Sequence, residues 1–243
     1  MLFRSGVLGP DYFIRFAEER GFIHHIGRQM VDMALAQLAA WDLEGLDIQR
    51  MAVNVSAIEL REGYTGMVEE ALARHGVSPH RLELEITESA LAADSVGTLK
   101  MLAQLRELGV SISVDDFGVG YSSLGQLRRL PIDSLKIDQT FIAEIDSNQQ
   151  DVAIVSAVVT MARSLGLRTV AEGAEKESHL AILERLGCDC VQGYVLARPM
   201  PAAHFADWVR NFTGGCAKAV EPAMPYTGAT STLNQARAAA RLR

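Results

Sequence analysis

The chain has few cysteines, a shortage of basic charge and no long apolar run. Three cysteines in 243 residues is an odd number, in a chain large enough to hold a core without covalent staples, so a disulfide framework is not what organises it. Cys188 and Cys190, in CDCVQGY, lie two apart and share one face if the segment is extended. No second pair supplies further ligands, so they read as small buried apolar residues and not as half of a zinc site. This usage points to a reducing compartment, and a cytoplasmic location is expected. Lys and Arg number 23 against 30 Asp and Glu, a formal net charge of −7. Binding to a DNA or RNA backbone needs a basic surface and is disfavoured. No apolar run of about eighteen residues exists and no charged-then-apolar leader opens the chain, so no segment is expected to contact a membrane or direct secretion.

What is present is the composition of a globular protein, with 49% hydrophobic and 22% charged residues. The length suits one large domain, and α/β barrels routinely reach it as a single unit. Short apolar runs (MAVNVS, RLELEIT, VSISVDDFG, SLKID, RTVAEG and CDCVQGYVLARP) alternate with stretches of helical spacing. The latter include YTGMVEEALARHG, SVGTLKMLAQLRELG, DVAIVSAVVTMARSLG and SHLAILERLG, several of them closing on glycine. Strands alternating with helices predict a parallel sheet covered by helices, and six such units in succession favour a closed (β/α) barrel over an open sheet. A long helical region, residues 10–41, precedes the first of these strands; its His24 and His25 have no acidic or thiol partner at ligand spacing. The domain is expected to span residues 1–213, and residues 214–243, small, polar and irregular, to form a weakly structured tail.

The informative pattern lies at the strand ends. MAVNVS carries Asn54, LELEIT carries Glu85, SISVDD carries Asp115 and Asp116, SLKID carries Lys136, TVAEG carries Glu172 and CVQGY carries Gln192. In a parallel barrel these ends share one rim, where active sites of that architecture are built. One strand-end Asp is commonly a helix cap; six consecutive strands with a polar end are a site. Carboxylates converging there repel one another unless cations neutralise them. Oxygen ligands of this kind suit Mg²⁺ or Mn²⁺. Neighbours in a continuing strand face opposite ways, so Asp115 and Asp116 reach one cluster only if the chain leaves the β conformation there. Gly118 and Gly120 permit that. Lys136, between Leu135 and Ile137, is the lone cation, placed to hold an attacking water or balance charge.

Taken together, AVNVS, LELEITES, DDFGVGYSSL, LPIDSLKIDQTFI, TVAEGAE and QGYVLARPMP resemble, in order and spacing, the EAL-domain cyclic-di-GMP phosphodiesterases, from about Gly6 to Phe212. The resemblance implies a TIM-like (β/α)8 barrel that hydrolyses one phosphodiester of cyclic di-GMP to linear pGpG by a two-metal mechanism, with Mg²⁺ or Mn²⁺. It implies Asn54, Glu85, Asp115, Asp116 and Glu172 as metal ligands, with Asp115 bridging both ions. Lys136 is then the residue that holds the hydrolytic water, and Gln192 the glutamine beside it. Glu88 is implied as the acid that anchors the glycine-containing loop after Asp116. Asn54, Asp138, Gln192 and Arg198 are the implied substrate contacts, although Asp138 reads equally well as a cap for QTFIAEI. A homodimer and fusion to N-terminal regulatory domains are implied as well.

Two features depart from the family pattern or leave it open. The Glu-Ala-Leu strand that gives the family its name should precede GVLGPDYFIRFAEERG, where only MLFRS stands, without an acid. The expected barrel therefore lacks its first strand and one ligand, and activity is expected to be weakened or lost. Either the chain is a piece of a longer protein or MLFRS is a foreign start. Val119 and Ala174 replace residues common in the family without changing a coordinating group. Three other readings compete. A non-hydrolytic cyclic-di-GMP receptor would typically have lost acids that this chain keeps. A kinase reading of DDFG lacks the HRD loop and the glycine-rich strand. An inert scaffold would leave divalent cations without effect on melting.

Overall fold

The computed structural model describes residues 9–92, 96–120 and 124–212; the expected tail and the MLFRS start lie outside them. The six strand-like segments form one parallel sheet in chain order: β1 (Met51–Val55), β2 (Leu82–Thr87), β3 (Ser111–Phe117), β4 (Ser134–Ile137), β5 (Arg168–Ala171) and β6 (Cys190–Val191). All neighbours are parallel, so each connection must cross back over the sheet. The order never reverses, as it would in a doubly wound sheet, and the result is a half-barrel of the α/β class.

The helices are α1 (Pro10–Glu19), α2 (Ile23–Leu43), α3 (Tyr64–His75), α4 (Glu88–Ala92), α5 (Val96–Leu108), α6 (Leu124–Leu127), α7 (Gln149–Ser164), α8 (Glu177–Leu186) and α9 (Ala202–Asn211). The region read as one helical stretch over 10–41 is two helices, interrupted at residues 20–22. α9 returns to α2, where Phe205 meets Trp41 at 4.9 Å between ring centroids. Among the described residues no helix is long and apolar enough to cross a membrane.

The strands have two different faces. Val53, Leu84, Ile86, Ile112, Val114 and Leu135 join Leu35 and Leu38 of α2, Val68 and Leu72 of α3, and Leu102 and Leu105 of α5 in one buried cluster. Burying each such large side chain is worth roughly 1.5–3 kcal/mol. A second cluster joins Ile137 of β4, Ile142 and Ile145 beyond it, Val155 and Val159 of α7, Ala171 and Ala174, and Leu183 of α8. The alternate positions are polar and also buried: Glu83, Glu85, Ser113, Ser134 and Lys136. Strand period two thus sends the aliphatic residues to the helices and the charged ones to the inner face.

The segment CDCVQGYVLARP is strand only at Cys190 and Val191. Beyond them the chain turns, with the Leu196 and Ala197 amides donating to the Gly193 carbonyl. Cys188 and Cys190 are half-buried. The Cys188 thiol donates to the Cys190 carbonyl at 3.2 Å, and burial pushes its pKa up, which keeps it an inert thiol.

Candidate active site

Lys136 lies at the centre of the rim. Its strand, β4, is buried along its whole length, and the side chain is 5% exposed. Nζ lies 2.8 Å from Glu85 Oε2, 2.7 Å from Glu172 Oε1 and 3.0 Å from Asp115 Oδ1. Four consecutive strands, β2 to β5, therefore deliver one residue each, Glu172 coming directly after β5. Burial disfavours the ammonium, but the charge of Glu85 and the hydrogen bond to Glu172 outweigh it, so Lys136 holds its proton more tightly than an ordinary lysine. Burial pushes the pKa values of Glu85 and Glu172 up, against the opposing pull of Lys136.

Asp115 and Asp116 reach the same place through an irregularity. The β3–β4 register shifts between Val114 and Phe117, and Asp116 takes a left-handed φ of 54°. That conformation is uncommon for a residue with a Cβ and is best tolerated by Asp and Asn. The chain leaves the β conformation at the second aspartate, as its sequence requires, and resumes pairing at Phe117. Gly118 follows at φ 104°, where a Cβ would lie 2.8 Å from the Phe141 ring. One oxygen each from Asp115, Asp116 and Glu172 then lie within 4.8 Å of one another. Burial, then the charges of Asp115 and Asp138, raise the pKa of Asp116.

Glu88 is 4% exposed and opens α4. Its Oε2 accepts from the Gly118 amide at 3.0 Å and the Gly120 amide at 3.3 Å, fixing the segment after the aspartates. Asp138 Oδ1 accepts from the Thr140 amide at 2.8 Å, capping the 3-10 turn Gln139–Phe141, while its charge bears on Asp116. It is both a cap and a neighbour of the site. A cleft of about 270 Å³ opens there between Ser89, Asp116, Val119, Asp138 and Thr140.

The remaining residues line the flanks. Asn54 is exposed on β1, in register with Glu85. The end of its strand is fixed by Ser56, whose hydroxyl donates to Glu18 Oε1 at 2.7 Å and which forms a capping box with Glu59. Gln192 is exposed just past the Ala171–Val191 pair, with its amide donating to the Ala171 carbonyl at 2.8 Å and its carbonyl accepting from the Ala174 amide at 3.2 Å. Gly193 makes this closeness feasible, because a Cβ there would lie 2.1 Å from the Ala174 carbonyl oxygen. Arg198 is exposed, with its guanidinium 4.5 Å from the Tyr194 ring centroid.

Beneath Lys136 runs a layer that reading the strand ends alone misses. Glu83, 8% exposed, accepts from Arg50 Nη1 at 2.9 Å and Ser134 Oγ at 3.3 Å. Arg168 Nη2 lies 3.9 Å away. The signal was present in the alternation of LELE and in Ser134 two residues before Lys136.

The donor set fits divalent cations. It consists of oxygens, with four carboxylates (Glu85, Asp115, Asp116 and Glu172) facing one ammonium. Asp115 Oδ1 is buried and, although close to Lys136, lacks the alignment of a hydrogen bond, so it keeps lone pairs for a cation.

Comparison with known proteins agrees with this geometry. The chain is 44% identical over 209 residues to the cyclic di-GMP phosphodiesterase NbdA of Pseudomonas aeruginosa, covering 86% of this chain and 27% of that protein. It is 46% identical over 200 residues to the bifunctional diguanylate cyclase/cyclic di-GMP phosphodiesterase MucR of the same organism, covering 82% and 29%. The chain thus spans between a quarter and a third of the length of these curated relatives. Among solved structures, the PaMucR phosphodiesterase in complex with c-di-GMP superposes with a TM-score of 0.78 at 45% identity, over 83% of this chain and 82% of that one. The EAL domain pattern matches residues 4–199, and the chain therefore belongs to the EAL domain family.

Proposed function

We propose that the chain is the phosphodiesterase domain of a cyclic-di-GMP signalling protein and hydrolyses one phosphodiester bond to give linear pGpG. The observation that carries this reading is the convergence of Glu85, Asp115, Asp116 and Glu172 on one rim around the buried Lys136. The names of NbdA and MucR, and the c-di-GMP in the PaMucR complex, support the substrate. Asn54, Glu85, Asp115, Asp116 and Glu172 would hold Mg²⁺ or Mn²⁺. When bound, such ions supply Lewis acidity to the phosphoryl oxygens and lower the pKa of water. In the net reaction the water oxygen bonds to phosphorus, the ribose oxygen leaves, and that oxygen takes up a proton. Lys136, tightly protonated, serves as a donor and a fixed charge and not as the base. It aligns three carboxylates and presents an ammonium to the attacking water. Glu88 positions the segment after Asp116, while Asp138, Gln192 and Arg198 contact the nucleotide.

The six strands are read as part of a TIM-like (β/α)8 barrel, with the domain ending near residue 213, and a homodimer and fused regulatory domains complete the reading. The test is chromatographic detection of pGpG from cyclic di-GMP with Mg²⁺ or Mn²⁺. Turnover, weak where the Glu-Ala-Leu acid is not supplied, is expected with the native sequence and none with folded Asp115→Asn or Glu85→Ala. Native-like rates in either variant overturn the assignment, and nucleotide binding without pGpG formation in a form supplied with the Glu-Ala-Leu acid makes the chain a receptor.

A further inference from the structure

His179 is 1% exposed on α8, which packs against α7 and the loop after β5. An imidazole in an aliphatic cluster is costly unless its nitrogens are used. Its Nδ1 lies 3.4 Å from the Glu175 amide, which donates to it. That bond leaves the neutral ring with its proton on Nε2. Nε2 is buried, without a hydrogen bond, and lies 3.8 Å from Asp146 Oδ1. Asp146 follows Ile145 of the second apolar cluster, on the segment beyond β4. Its carboxylate accepts from Lys176 Nζ at 3.0 Å and from Ser178 Oγ at 3.1 Å.

Glu172 and Glu175 belong to the same short loop between β5 and α8. Within it, Ala174 is bonded on both sides to the segment of Gln192, its amide to the Gln192 carbonyl and its carbonyl to the Val195 amide. The loop that carries Glu172 is therefore held on one side by the Gln192 segment and on the other by His179. We propose that His179, with Asp146, is a positioning clamp. It locks the Glu175 backbone to the segment that continues from Lys136, and so fixes where Glu172 points into the cation site. The inference rests on the cation-dependent reading of that site. It assigns a role to two residues that touch neither substrate nor cation.

The experiment compares His179→Leu, His179→Gln and the native sequence in the full chain. Gln retains an acceptor for the Glu175 amide and a donor toward Asp146; Leu retains only bulk. Two quantities are read: hydrogen exchange at the Glu175 amide, and Mn²⁺ affinity from the signal of free Mn²⁺ in electron paramagnetic resonance. His179→Leu is expected to exchange about tenfold faster and bind Mn²⁺ about tenfold more weakly, at the lower end of what outer partners of metal ligands contribute. His179→Gln is expected to restore both to near native values. Native exchange and affinity in His179→Leu, or equal damage in His179→Gln, overturns the clamp. A native chain that binds Mn²⁺ but makes no pGpG, even in a form supplied with the Glu-Ala-Leu acid, defeats the phosphodiesterase reading while leaving the clamp comparison intact. A native chain that binds no Mn²⁺ overturns both.

Discussion

Two layers of charge are stacked on the inner face of the sheet, and only one of them carries an excess of acid. In the lower layer a single acid, Glu83, lies between Arg50 and Arg168 with Ser134 bonded to it. In the upper layer Glu85, Asp115 and Glu172 share the single ammonium of Lys136, with Asp116 beside them. Both layers are built by the same alternation on the same strands, so the difference is one of composition. A buried acid flanked by two partly exposed guanidiniums needs no added cation. An overloaded cluster is tolerable only where cations can enter, since like charges at short range in a buried setting repel strongly. The strands of the half-barrel thus carry a structural floor and, two residues further along, the acid-rich rim proposed as the site.

The largest expected effect is at the rim. Lys136→Met leaves one buried and two half-buried carboxylates without their shared cation and is expected to destabilise the fold by about 3 kcal/mol, with Mg²⁺ restoring part of the loss in thermal melts. A melting temperature independent of Mg²⁺ would place the rim with the floor.

Gly193→Ala comes next, because its Cβ would meet the Ala174 carbonyl oxygen at 2.1 Å. The backbone pairing that sets Gln192 beside Glu172 has to shift, at a cost of about 1–3 kcal/mol. kcat/KM should fall while the far-ultraviolet circular dichroism stays native; unchanged turnover would mean that this pairing does not set the site.

Glu83→Gln is milder. It keeps one acceptor for Arg50 and is expected to cost about 1 kcal/mol in denaturant melts, to the same extent with and without Mg²⁺.

The smallest effect is a pH dependence. Burial raises the folded-state pKa values of Glu85 and Glu172, so their protonated forms favour folding. That contribution is full below the ordinary carboxylate range and is lost as pH rises through the raised values. In EDTA the native chain should therefore lose stability relative to Glu172→Gln over that window, and Mg²⁺ should flatten the difference; parallel curves in EDTA would contradict this.

Much of this was legible in the sequence because each rim residue interrupts an apolar run at the same relative place. Asn54, Glu85, Asp115, Lys136, Glu172 and Gln192 all stand out on that ground alone, and glycine marked the ends of α3, α5 and α8. What escaped notice depends on register and on contacts distant in sequence. Glu83 looks like an ordinary strand acid until Arg50, just before β1, and Arg168 of β5 come up to it. Gly193, just past the two-residue β6, lies against Ala174, nineteen residues earlier. The adjacent aspartates required a departure from the strand, but the positive φ at Asp116 and the return to pairing at Phe117 are properties of the assembled sheet. His179 gave no signal of its own, being one histidine on an amphipathic helix.

The central claim is that the rim is overloaded with negative charge in order to hold divalent cations. The most direct test is thermal melting of the native chain and of Asp115→Asn during a Mn²⁺ titration. Saturating Mn²⁺, at about 100 times its Kd, adds about 2.7 kcal/mol, which for a chain of this size raises Tm by about 5 °C or more. The account predicts that rise in the native chain and little of it in Asp115→Asn; an absent shift, or an equal one in both proteins, contradicts it.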